Sequence, residues 1–219
     1  IGKMRLYGTL KLLKKQRHLG LSILEISINT MEYLLETRLY QFINTVKSAV
    51  IVNAENEEIL LDDGLVKIFE LLLKIRDNNR NLYVIGNGGS AAIASHAVVD
   101  FINVAKIAAH TLHDSATLTC MANDYGYNNA FSKVLNITLK EEDILIVISS
   151  SGKSENIINA VKAAKKNGAT VITFSGFGSK NILRSLGDIN IWVNSEDYGM
   201  VEIAHQFILH NLADRFIDK

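Results

Sequence analysis

The 219-residue sequence predicts an α/β fold: a doubly wound parallel sheet flanked by helices, with a helical segment ahead of it. Three observations carry that reading. From residue 81 onward, apolar stretches of strand length alternate with helical runs, the pattern of βαβ units. Several of the stretches, such as "ILIVIS" at 144–149, are apolar without interruption, as expected where helices cover both faces of a sheet. Glycines and serines gather just after two of the strands, where open parallel sheets bind their ligands.

Residues 32–55 and 60–79 carry apolar side chains at three- and four-residue spacing and predict a helical pair within 31–80. Asp77-Asn78-Asn79 stops the second helix before "NLYVIG". Strands are predicted at 82–85, 107–112, 144–149, 170–175 and 189–193. Helices fall at 91–103, 128–134 and 155–167, with a weaker one near 179–186 and a long final one at 199–217. No repeat, low-complexity stretch or Pro/Gly linker interrupts this order. Residues 31–219 therefore read as one domain, a helical pair followed by an α/β core from 81.

Residues 1–30 stand apart as a basic extension, with Lys3, Arg5, Lys11, Lys14, Lys15 and Arg17 against Glu25. They read as a basic amphipathic helix for a membrane surface, or as a solvated helix or upstream sequence with Met31 as a start. No function is assigned to them.

Composition excludes several function classes. The 23 basic and 23 acidic residues cancel, which argues against a tight electrostatic grip on nucleic acid. A single cysteine, Cys120, forbids an internal disulfide and a CxxC metal knuckle. It fits a reducing, cytoplasmic setting and reads as a small buried apolar residue. No apolar run approaches the roughly 20 residues of a membrane span.

The two post-strand loops are the informative segments. The first, "GNGGS", places Gly86, Gly88 and Gly89 around Asn87 and ends on Ser90. Glycines let a backbone come close to a ligand. The second, "SSSGKSEN", offers the hydroxyls of Ser149, Ser150, Ser151 and Ser154 at a helix start, where free N–H groups and the dipole favour an anion. Ser154 alone could be a helix cap; four serines in six positions point instead to anion binding. A dinucleotide fingerprint, Gly86-x-Gly88-x-x-Ala91 with Asp114, is the competing reading. Asp114 follows Gly86 by 28 residues against the usual spacing of about 20, and such a site has no use for the serine loop.

"GNGGSAAIASH", "LHDSATLTCMANDYGY" and "ISSSGKSENI" together resemble the sugar isomerase (SIS) superfamily, and within it the phosphoheptose isomerase branch. The likeness runs from about residue 80 to the C-terminus. It implies that Ser90, Ser149, Ser150, Ser151 and Ser154, with Gly88 and Gly89, hold a sugar phosphate, and that Asn87, Asn123 and Asp124 line the sugar end. It further implies a divalent metal, zinc by its donor set, held by His96, Asp100, Glu202 and His210. Asp100 would be the base and His210 its partner in an enediol proton transfer on sedoheptulose 7-phosphate, feeding heptose synthesis for surface polysaccharide.

His96 and Asp100 lie at i and i+4, one turn apart on one helix face. Glu202 and His210 are eight residues apart, a rise of about 12 Å with a turn of ~80°, which makes joint service to one metal awkward. A site shared between subunits follows as an expectation, hence a homo-oligomer, a tetramer by the resemblance. His205 reads as a packed helix histidine, and His113 lies on a loop near the site without a role.

The chain departs from the family pattern at its reacting end. Asp100 replaces a glutamate, Glu202 a glutamine, Val104 and Met200 arginines, and Lys153 an asparagine. Lys153 can neutralise phosphate or face solvent. A non-catalytic SIS protein that binds a phosphosugar or a protein partner is the rival from another class, and a hexulose-phosphate isomerase a third reading. Retention of His96, Asp100 and His210 favours the enzyme.

Overall fold

The computed structural model describes residues 34–217; the basic extension 1–30 and Met31 lie outside them. The described residues divide into two units, the boundary falling between Asn44 and Thr45. Most of the first helix, α1 (Leu35–Lys47), falls in the earlier unit, and none of its residues is buried.

The later unit holds the sheet. Its elements run β1 (Val50–Asn53), β2 (Glu58–Ile59), α2 (Leu61–Asp77), β3 (Asn81–Gly86), α3 (Gly89–Asn103), β4 (Ala108–His110), α4 (Ser115–Tyr125), α5 (Ala130–Thr138), β5 (Ile144–Ser149), α6 (Glu155–Lys166), β6 (Thr170–Ser175), β7 (Ile189–Trp192) and α7 (Tyr198–Asp214). The strand order is β2-β1-β7-β6-β5-β3-β4. From β7 to β4 all pairs are parallel, whereas β1 pairs antiparallel with both β2 and β7.

The uninterrupted apolar strands are explained by a helix layer on each side. Leu82, Val84, Ile144 and Ile146 meet Leu72 of α2, Phe101 of α3 and Leu212 of α7 in one core. The alternate residues Tyr83, Ile85, Leu145 and Val147 meet Phe131 of α5 and Ile157 and Val161 of α6 in the other. Period-two alternation sends successive side chains to opposite faces, so both must be apolar.

The elements expected at 144–149 and 170–175 have the bounds read from sequence. Four details differ. The helix expected over 32–55 ends at Lys47, and Val50-Ile51-Val52 forms a strand instead, because three β-branched residues suit a sheet better than a helix. Asn53 closes the β1–β2 hairpin, its Oδ1 accepting from the N–H groups of Glu55 and Glu57 at 3.1 and 2.8 Å. α4 is a helix where the sequence predicts no element; it buries no side chain and so has no apolar period, yet Asp114 caps it through Thr117 N–H at 2.8 Å. Near 179–186 there is only a 3₁₀ turn, Ile182–Ser185. Cys120 lies on α4 and is exposed, not buried. Among the described residues no helix is long and apolar enough to cross a membrane.

His205 is fully buried in α7, edge-on to Phe174, with Nε2 at 3.1 Å from the Ser175 carbonyl. Burial pushes its pKa down to about 4 from the ordinary 6.5. The folded protein therefore keeps it neutral while the unfolded chain takes up a proton between those values. Stability falls as the pH drops through that window, by ~3 kcal/mol from this group. Urea titrations from pH 7.5 to 4.5 are expected to show a shallower decline for His205→Gln, which retains a donor for Ser175, than for the natural chain. Parallel declines would contradict the assignment.

Candidate functional site

The site begins where two neighbouring strands end. β3 and β5 pair in parallel with Gly86 opposite Ile148, so "GNGGS" and "SSSGKSEN" leave the same edge of the sheet side by side. From β3 the chain goes to β4 on one flank, and it returns to β5 on the other. That reversal is the topological switch point at which doubly wound sheets bind ligands.

The two loops enclose one cavity of about 260 Å³, lined by Asn87, Gly88, Gly89, Ser90, Ile148, Ser149, Ser150, Ser151, Ser154, Tyr198 and Glu202. Ser90 and Ser151, distant in sequence, share its wall. Gly88 has a φ of 53°, a backbone state L side chains avoid, and its missing Cβ leaves open space. α3 starts directly after it without a side-chain cap. Ser154 stands at the N-cap of α6 and makes no capping bond; its hydroxyl is 3.4 Å from that of Ser149. Ser150 Oγ is buried with no partner among the described residues. Two helix N-termini thus aim first-turn N–H groups at a cavity with uncommitted hydroxyls, an arrangement made for an anion. Among the described residues no lysine or arginine lines it; Lys153 is exposed outside.

Asn87 and Asn156 fasten the loops together. Each amide donates to the other's oxygen at 2.9 Å, and Tyr127 OH adds a bond to Asn87 Oδ1 at 2.8 Å. Asn156, Tyr127 and Tyr198 escaped the sequence reading of the site. Asn156 and Tyr127 fall within the motifs that carry the family resemblance, whereas nothing local marks Tyr198.

Farther along α3 lies a second cluster. His96 Nε2 is 3.0 Å from His210 Nε2, and Asp100 Oδ2 is 3.0 Å from His210 Nδ1 and 3.5 Å from His96 Nε2. Asp100 Oδ2 makes no aligned hydrogen bond in spite of these approaches. Facing imidazole nitrogens and a carboxylate oxygen, all within 4.8 Å of one another, have the donor chemistry of a metal site with room for a further ligand. Glu202 does not join them. Its carboxylate lies against Gly89, where a Cβ would meet Oε1 at 2.5 Å. α3 and α7 therefore run side by side in the same direction, Gly89 facing Glu202 at one level and His96 facing His210 farther on. The awkward eight-residue step along α7 is resolved within one chain: Glu202 serves the cavity, and His210 the cluster.

Asn123 and Asp124 stay outside both groups. They lie on exposed α4, bonded to each other at 2.9 Å. His113, by contrast, reaches the glycine turn and accepts from Gly86 N–H at 3.3 Å.

The sequence profile of the SIS domain family matches residues 42–176. The phosphoheptose isomerase of Campylobacter concisus is 31% identical over 163 residues, 72% of this chain and 86% of that protein. The solved phosphoheptose isomerase GmhA of Neisseria gonorrhoeae superposes with a TM-score of 0.71 at 30% identity, covering 83% of this chain and 96% of that one. The phosphoheptose isomerase of Francisella tularensis gives 0.73 at 29%, with 87% and 97% covered. With the loop pair and the histidine cluster arranged on this sheet, the chain belongs to the SIS domain family, in its phosphoheptose isomerase branch.

Proposed function

We propose that this chain is an aldose–ketose isomerase of a phosphorylated sugar, converting sedoheptulose 7-phosphate to D-glycero-D-manno-heptose 7-phosphate through an enediol. The observation that carries it is the pairing of an anion cradle with an acid–base cluster along one helix. Gly89 and His96 are seven residues apart, about 10 Å of helix rise, a span suited to an open-chain sugar with its phosphate in the cradle. The names of the relatives point to the same reaction.

In this reading Ser90, Ser149, Ser150, Ser151 and Ser154 hold the phosphate together with the first-turn amides of α3 and α6. Asn87 orients the chain beyond it. Asp100 takes the proton from the carbon beside the carbonyl and returns it to the neighbouring carbon. His210 moves the hydroxyl proton between the two oxygens. His96, Asp100 and His210 would hold a divalent cation, zinc by its two-imidazole, one-carboxylate donor set, which when bound polarises the substrate oxygens. The non-catalytic rival has less support, since it gives no reason for these three side chains to converge.

The functional particle is a homo-oligomer, a tetramer. His96 and His210 are half exposed, with side-chain exposures of 53% and 42%. Apolar Val99 and Ile102 on α3 and Ile203 on α7 stand open around them at 60%, 50% and 55%. A second copy of the chain covering this face would bury the apolar rim and exclude water from the reaction.

Three outcomes are expected. Ser150→Ala raises KM about tenfold with little change in kcat, whereas Asp100→Asn lowers kcat by roughly 10²–10⁴-fold, both followed by NMR assay on sedoheptulose 7-phosphate. Elemental analysis finds zinc in the purified protein and loses it in His96→Ala and His210→Ala; bound phosphosugar without metal or turnover would instead favour the non-catalytic reading. Light scattering gives a mass about four times that of one chain, and Ile203→Glu lowers it.

A further inference from the structure

His113 stands in the connection between β4 and α4, and the proposed chemistry makes no use of it. Its ring is nonetheless placed with care. β4 ends at His110, opposite Tyr83, so Gly86 lies beyond the last ladder partner on that side of β3. The imidazole takes the vacant place: Gly86 N–H donates to Nε2 at 3.3 Å. The other ring nitrogen, Nδ1, is 3.4 Å from Ser95 Oγ on α3. Phe131 meets the ring edge-on, with centroids 5.9 Å apart.

Counting protons fixes the tautomer. Ser95 Oγ donates its only hydrogen to the Ala91 carbonyl at 3.0 Å, so toward His113 it can only accept. Nδ1 must then carry the ring hydrogen, and Nε2 is the bare nitrogen that Gly86 addresses. A protonated ring would have a hydrogen at Nε2 pointing at the Gly86 N–H. Burial holds His113 below the ordinary imidazole range and favours the neutral acceptor this geometry requires.

We infer that His113 is a positioning residue for phosphate binding, its neutral imidazole tying the last peptide of β3 to the second turn of α3 so that the intervening Gly88–Ser90 amides face the cavity. The inference rests on the reading of that cavity as a phosphate cradle. The bond fixes the peptide plane at which the chain leaves the sheet, and Gly88 and Gly89 offer no side chains to do so. Loss of the acceptor frees the turn and leaves a buried N–H without a partner. The consequence falls on ligand affinity and spares the proton-transfer step.

The test compares His113→Leu, which has no acceptor, with His113→Gln, whose amide oxygen can stand in for Nε2. Calorimetry with inorganic phosphate and steady-state kinetics on sedoheptulose 7-phosphate are read together. His113→Leu is expected to weaken phosphate binding and raise KM about tenfold, with kcat within about threefold; His113→Gln recovers most of the affinity. Nitrogen-15 NMR of the natural chain is expected to show His113 neutral with its hydrogen on Nδ1. Equal losses in two folded variants, a fall in kcat with KM unmoved, or the Nε2–H tautomer would each overturn the inference. If the leucine variant does not fold, the tautomer and the glutamine variant decide it. A natural chain that binds no phosphate and turns nothing over would bring down the cradle reading itself. One that does both, beside an unaffected His113→Leu, removes only this inference.

Discussion

The parallel pairing of β3 with β5 is the constraint on which the site depends. It sets Gly86 level with Ile148, and that register makes two loops separated by about sixty residues begin at the same height. The register is in turn held by burial. Leu82 and Val84 face one helix layer, Tyr83 and Ile85 the other. A slip of one residue would exchange these two sets and misplace both loops. Stability of the core and geometry of the cavity are thus one property.

The cavity's electrostatics come from the backbone. Among the described residues no cationic side chain lines it; two helix N-termini and a set of hydroxyls do. Such donors are fixed by secondary structure and need no side-chain ordering, so the cradle is formed before a ligand arrives. Glu202, where the family pattern has a glutamine, places a carboxylate beside the positive end of α3. Its charge sits with the cradle, while the imidazoles and Asp100 sit farther along the same helix pair. The departures of this chain are therefore divided between two places with different chemical demands.

Much of this was legible in the residues. Continuous apolar runs gave the parallel strands, because a strand buried on both faces leaves no polar periodicity. Clustered glycines and serines marked the two loops that line the cavity, because few other residues permit close backbone approach and supply hydroxyls at once. The His96–Asp100 pair followed from helical spacing. The β1–β2 hairpin was hidden because its apolar residues continue the preceding helical pattern, and α4 because an exposed helix leaves no apolar trace.

By itself the sequence determined the sheet's class, the two glycine- and serine-rich loops and the His96–Asp100 spacing, since each is written in contiguous residues whose spacing has a local physical meaning. Only the tertiary structure decided that His210 meets His96 and Asp100 while Glu202 turns to the cavity, and that Asn123 and Asp124 stay away from both. It alone put His113 under the glycine turn. Those outcomes depend on how α3, α4 and α7 are set against the sheet, and the packing that sets them joins residues too far apart in the chain for any local pattern to record.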